Sequence, residues 1–148
     1  MQQHAPIDII AAGNGCGEGV IWDSRRQVLW WTDIPGRRLH RYHWASRTAQ
    51  LFETPERVGS FGLVADSDTL ITAFESGIAL YNPVLGPAPD AVTWLARPQA
   101  GVKGVRFNDG RVDRRGRFWC GTMVEEDGSL ETGNLYSIGA GQELRCHL

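Results

Sequence analysis

Between positions 105 and 126 the chain reads VRFNDGRVDRRGRFWCGTMVEE, and the start of that stretch crowds polar chemistry into four residues. Arg106 and Asn108 stand two apart, so on extended chain they share a face. A guanidinium donates to an oxyanion or a hydroxyl, and an amide beside it adds donors and one acceptor, which together suit a polyol. Asn108-Asp109-Gly110 by itself also suits a turn. Far upstream, Glu18 lies between Gly17 and Gly19. Glycines on both sides leave room for a ligand or an ion to approach that carboxylate, and a plain surface loop is the other reading of it.

Other motifs lose their chemistry on inspection. GNGCGEG, at 13–19, is glycine-dense but has Glu18 where a dinucleotide fingerprint needs glycine, and it lacks the Lys-Ser/Thr pair of a P-loop. His40 and His43 would share a helix face, but RRLHRYHW reads as a strand, where positions three apart point to opposite sides. Cys16, Cys120 and Cys146 are odd in number and form no CxxC, which favours separate thiols in a reducing cytoplasm. The six tryptophans fall inside apolar strand segments and are expected to pack between sheets.

The elements that must carry these residues repeat. Three segments read as strand, turn, strand, turn, strand and a fourth strand: GVIWD to AQLFETP, FGLVAD to AVTWLARP, and GRVD to QELRCHL. Polar turns opened by Asp23, Asp66 and Asp113 fall at matching places, each able to bond backbone amides two residues on. A four-stranded unit about every 40–50 residues, without helical periodicity, marks an all-β protein built of β-propeller blades. Blades are expected near 17–55, 60–98 and 105–148, the third with an insertion, VEEDGSLET. A strand at 6–13 would close the last blade of a ring. Three blades fall short of the usual four to eight, so residues 1–148 read as the N-terminal half of a propeller. Aligning GVIWD with GRVD puts Glu18 at the place of Arg106 and Asn108, so all three should converge on one end of the axis, the usual setting of a small-molecule site.

Composition narrows the function further. The chain has 148 residues and a formal net charge of −2, which gives no electrostatic reason to expect nucleic acid. No apolar run approaches a membrane span, and the first residues lack the basic and apolar regions of a secretory leader.

GCGEG, LWWTDIPGRRLHRY and especially RFNDGRVDRRGRFWCGTMVEE closely resemble the gluconolactonase/regucalcin (senescence marker protein) family. The resemblance implies a six-bladed propeller with one divalent metal ion (Ca, Zn, Mg or Mn) in its channel and hydrolysis of a sugar lactone. It implies that Glu18 is a metal ligand, and that Arg106, Asn108 and Glu126 hold the substrate. It also implies that the remaining metal ligands and the general base lie beyond Leu148, leaving no catalytic base in this chain. Residues 1–148 alone are therefore expected to hydrolyse lactones poorly. A non-enzymatic half-propeller that pairs with itself or with a second half stays open, as does hydrolysis of phosphotriesters.

Overall fold

Runs of Trp, Val, Ile, Leu and Phe between polar turns each become one strand, because branched and aromatic side chains fit a pleated, half-buried surface. The computed structural model describes residues 9–125 and 133–147. Its first sheet comprises β1 (Gly17–Asp23), β2 (Val28–Asp33), β3 (Arg38–His43) and β4 (Thr48–Glu53). The second comprises β5 (Val58–Leu63), β6 (Leu70–Phe74), β7 (Ile78–Tyr81) and β8 (Val92–Ala96). The third comprises β9 (Val105–Val112), β10 (Phe118–Val124), β11 (Leu135–Ile138) and β12 (Leu144–Cys146). Every sheet is an antiparallel meander in chain order, so the protein is all-β, with three four-stranded blades of the β-propeller type. The only helical pieces among the described residues are two short 3-10 turns, Pro83–Leu85 and Pro89–Ala91. Residues 9–13 form no strand.

Two of the three expected aspartate turns form as read. Asp23 Oδ1 accepts the amides of Arg25 and Arg26 at 3.0 and 3.2 Å, and Asp113 Oδ1 accepts those of Arg115 and Arg117 at 2.8 and 3.0 Å. The second blade departs from the pattern. Ser67 Oγ takes the Thr69 amide there, which frees Asp66 to accept from Arg25 of the first blade at 2.7 Å. An adjacent hydroxyl does the same local work as a carboxylate.

The core lies between blades. Val28, Trp30 and Leu39 meet Phe61, Phe74 and Tyr81 at the first interface; Ile78 meets Phe107, Phe118, Tyr136 and Ile138 at the second. Burying each such side chain stabilises by roughly 1.5–3 kcal/mol. Polar ties cross the same interfaces: Thr32 Oγ1 donates to the Val58 carbonyl at 2.9 Å, and Tyr81 Oη lies 3.0 Å from the Glu53 carbonyl. Burial pushes that phenol up to about 12.

The tryptophans divide by face. Trp30 stacks on Phe52 in the core at 5.7 Å. Trp31, on the opposite face, stacks on buried His40 at 4.8 Å. Trp22 and Trp44, expected to be core, are instead 43% and 50% exposed. Strand alternation turns Trp22 away from the Ile21–Trp30 face, onto an open side that it shares with Gln27, Leu29 and Trp44. The two histidines also separate: burial lowers the pKa of His40, while His43 Nε2 lies 3.2 Å from Gln50 Oε1.

Candidate functional site

The inner strand of each blade is bent by a β-bulge at the same level. Glu18 pairs with Thr32 and Ile21 with Trp30, so one extra residue is inserted between them. Val58 pairs with Phe74 and Ser60 with Ala73; Phe107 pairs with Thr122 and Gly110 with Cys120. Bulges re-aim side chains and sharpen twist, and they recur beside binding sites. Glu18, Val58 and Phe107 are therefore equivalent, and Arg106 and Asn108 flank the level of Glu18. Arg106 and Asn108 lie inside β9, not upstream of a shorter strand, and Asn108-Asp109-Gly110 forms the bulge rather than a turn. Asp109 accepts the neighbouring Gly110 amide at 2.8 Å and stays at the surface.

Glycine at 59 brings the second and third blades together. A Cβ there would stand 2.5 Å from the Asn108 carbonyl oxygen and 2.6 Å from that of Phe107. At 19, φ is +65°, a left-handed conformation that favours glycine and turns the chain immediately after Glu18. Asp33 anchors the loop leading into β1, its Oδ1 accepting the amides of Gly15 and Cys16 at 3.0 and 3.1 Å. Across the innermost strands, Arg111 Nη1 donates to the Val20 carbonyl at 3.1 Å, tying the third blade to the first.

At the centre of the site, Arg106 Nη1 donates to Asn108 Oδ1 at 2.7 Å and to the Phe107 carbonyl at 3.0 Å. Its Nε donates to Glu125 Oε1 at 2.7 Å, and its side chain is only 11% exposed. Glu125 joins an ion-pair ladder. Arg57 donates to both of its oxygens at 3.0 and 2.8 Å and to both oxygens of Glu75 at 2.9 and 2.7 Å. Hydrogen bonds from Arg57, and then from Arg106, hold the Glu125 carboxyl below the usual range. Arg57 does the same to Glu75. Two guanidinium and two carboxylate charges cancel. Among the described residues nothing accepts from Arg106 Nη2 or Asn108 Nδ2, so the ladder presents two donors with little net charge.

Glu18 is exposed at the end of β1, with the Cys16 Sγ 3.6 Å from its Oε1. That thiol is pushed up by desolvation and by Glu18, and pulled down by Arg106, so both charges act on one small region. Among the described residues no three His, Cys, Asp or Glu side chains gather to hold a metal ion. Glu18 suits a divalent cation as one oxygen ligand, but the described side chains do not complete a coordination shell. Glu126 lies outside the described residues.

Arg57, Glu75, Glu125 and Asp33 escaped sequence reasoning. The bulge register holds the missing signal: Arg57 precedes Val58 as Arg106 precedes Phe107, so the two arginines occupy equivalent positions in successive blades.

Three four-stranded meander blades, with a carboxylate on the bulged inner strand of the first and a guanidinium and an amide on that of the third, define a propeller-type scaffold. The chain belongs to the SMP-30/gluconolactonase/LRE-like family, whose model matches residues 16–148. It is 41% identical over 109 residues to a 6-deoxy-6-sulfogluconolactonase of Pseudomonas putida, covering 72% of this chain and 35% of that protein. It is 34% identical over 126 residues to the regucalcin of Gallus gallus, covering 82% of this chain and 40% of that one. The structure of a calcium-binding protein, regucalcin, of Agrobacterium tumefaciens superposes with a TM-score of 0.75 at 27% identity, over 88% of this chain and 42% of that one. The chain thus spans less than half the length of each of these relatives. Among the described residues no helix is long and apolar enough to cross a membrane.

Proposed function

We propose that this chain forms the substrate-holding side of a sugar-lactone hydrolase. The observation that carries the reading is the Arg106–Asn108 pair, locked at 2.7 Å, with Arg106 Nη2 and Asn108 Nδ2 unengaged among the described residues. A lactone offers neutral acceptors: ring hydroxyls, the ring oxygen and the carbonyl. Arg106 Nη2 and Asn108 Nδ2 are donors set to receive them, and their value is orientation of the ester for attack. In the reaction, water adds to the carbonyl carbon, the C–O bond of the ring opens, and the ring oxygen leaves as a hydroxyl on gaining a proton. The aldonic acid then ionises.

Glu126 is assigned to the substrate side of the same pocket. Glu18 is assigned as one carboxylate ligand of a divalent ion, Ca, Mg, Mn or Zn, with the other ligands and the general base beyond Leu148. In this assignment residues 1–148 position a lactone without the group that deprotonates water. Turnover by them alone within the ordinary enzyme range of about 1–10³ s⁻¹ would overturn it.

The test is a titration with D-glucono-1,5-lactone and with δ-valerolactone, which lacks the hydroxyls, read by NMR at the Asn108 side-chain amide. Hydrolysis is followed in parallel as acid release. A saturable response to the hydroxylated lactone, weakened at least about tenfold by Arg106→Ala, is the expected result. Equal responses to the two lactones, or no effect of Arg106→Ala, would refute the reading.

A further inference from the structure

We infer that Arg57, a residue of the second blade, is a positioning residue for the substrate wall of the third, acting through Glu125 on Arg106 and Asn108. The inference rests on the reading of Arg106 and Asn108 as that wall. All three Arg57 nitrogens are engaged: Nε and Nη2 form a fork onto Glu75, and Nη1 and Nη2 form a second fork onto Glu125. Paired forks fix the plane of a carboxylate as well as its place. The backbone supports both acids, since the Glu125 amide donates to the Gly104 carbonyl at 2.7 Å and the Glu75 amide to the Arg57 carbonyl at 2.9 Å. Glu125 Oε1, held in this way, is the acceptor that orients Arg106 through Nε.

Two consequences reach the ligand. With Nε and Nη1 occupied, Arg106 has only Nη2 left to offer, in a fixed direction. Because Asn108 Oδ1 is taken by Arg106, its amide is set with Nδ2 outward. The ladder also settles the charge of the wall. Balanced pairs favour uncharged hydroxyl and carbonyl acceptors over a phosphate dianion, which would need an unpaired guanidinium. A residue that merely stapled two blades together would not control the orientation of Arg106.

Arg57→Met keeps the alkyl stem and removes the forks, while Arg57→Lys keeps the charge and loses the planar geometry. The first readout needs no ligand: proton exchange of the Arg106 Nε–H with water, followed by arginine-selective ¹H–¹⁵N NMR and assigned with Arg106→Lys. The second is affinity for D-glucono-1,5-lactam, a non-hydrolysing isostere. Arg57→Met is expected to speed the exchange at least about tenfold and to weaken lactam binding about 10- to 100-fold, with Arg57→Lys between it and the wild type. Unchanged exchange and affinity in a folded Arg57→Met protein would overturn the inference. If Arg57→Met shows no cooperative melt, Arg57→Lys is judged by the same two criteria. If Arg106→Ala leaves lactam binding intact, the reading of the wall falls, and Nε–H exchange still decides whether Arg57 orients Arg106.

Discussion

Gly59→Ala adds one methyl group where the second and third blades touch. The new carbon would stand 2.5 Å from the Asn108 carbonyl oxygen, 2.6 Å from that of Phe107 and 2.8 Å from the Asn108 Cα. All three are backbone atoms, so no rotamer change relieves the overlap. To regain ordinary contact distance, β5 and β9 must part by roughly 0.5–1 Å. Overpacking of this kind costs about 1–3 kcal/mol. The displaced segment carries Asn108 itself, and a shift near 1 Å at a positioning group can cost up to about 100-fold in function. Gly121→Ala is the matched control: on β10, its added carbon would meet only the Asn134 carbonyl, at 3.8 Å. Restricting the unfolded chain should make that variant neutral or more stable by about 0.4–1 kcal/mol. Urea unfolding of both variants, with lactam affinity measured alongside, gives the comparison. A Gly59→Ala protein with the midpoint and affinity of the wild type would refute the view that a bare backbone contact sets the position of Asn108.

The remaining predictions concern charge, thiols and one buried hydroxyl. The carboxyls of Glu125 and Glu75 lie below the ordinary glutamate value of 4.5, so their contribution to stability is fully present above that value and is lost as pH falls through the lower native ones. Glu125→Gln should therefore flatten the acid limb of the stability profile below about pH 4.5, measured by urea midpoints; an unchanged limb would count against the ladder. Burial pushes the Cys120 thiol up to about 12, whereas Cys16 and Cys146 are exposed. A thiol-exchange reagent at neutral pH should find two reactive sites in the native protein and a third only after unfolding, and Glu18→Gln should speed reaction at Cys16 a few-fold by removing the neighbouring carboxylate. Thr32→Val leaves the buried Val58 carbonyl without its 2.9 Å donor and should lower unfolding free energy by about 1–2 kcal/mol, while Thr32→Ser restores most of it.

The blade pattern was legible because it is written in local chemistry: polar turn, alternating strand, polar turn. Residues whose roles depend on another blade were not. Glu125 looks like a solvent-facing acid because both of its arginine partners are distant in sequence, Arg57 by 68 positions and Arg106 by 19. Trp22 shows the converse limit. Strand periodicity says which face it occupies, but not whether anything covers that face. At Asp66 a turn motif was readable and its atoms were not, because Ser67 takes the Thr69 amide instead. Arg106 and Asn108 could be singled out since two residues on one strand declare their own geometry.

The three bulges explain how a repetitive scaffold yields an asymmetric site. At the equivalent level, the first blade has Glu18, the second Val58 and the third Phe107, and the residue just after each is Gly19, Gly59 or Asn108. Val58 and Phe107 are buried in the inter-blade cores, so that position serves packing in two blades and exposes a carboxylate in one. Gly59 gives up a side chain so that the backbone of the third blade can lie against the second. The second blade therefore cannot present a group of its own at the position of Asn108. Its polar contribution moves two residues earlier, to Arg57, which reaches Arg106 only through Glu125. Placing an amide at 59 would not add a third donor to the site; it would drive Asn108 out of the one it has.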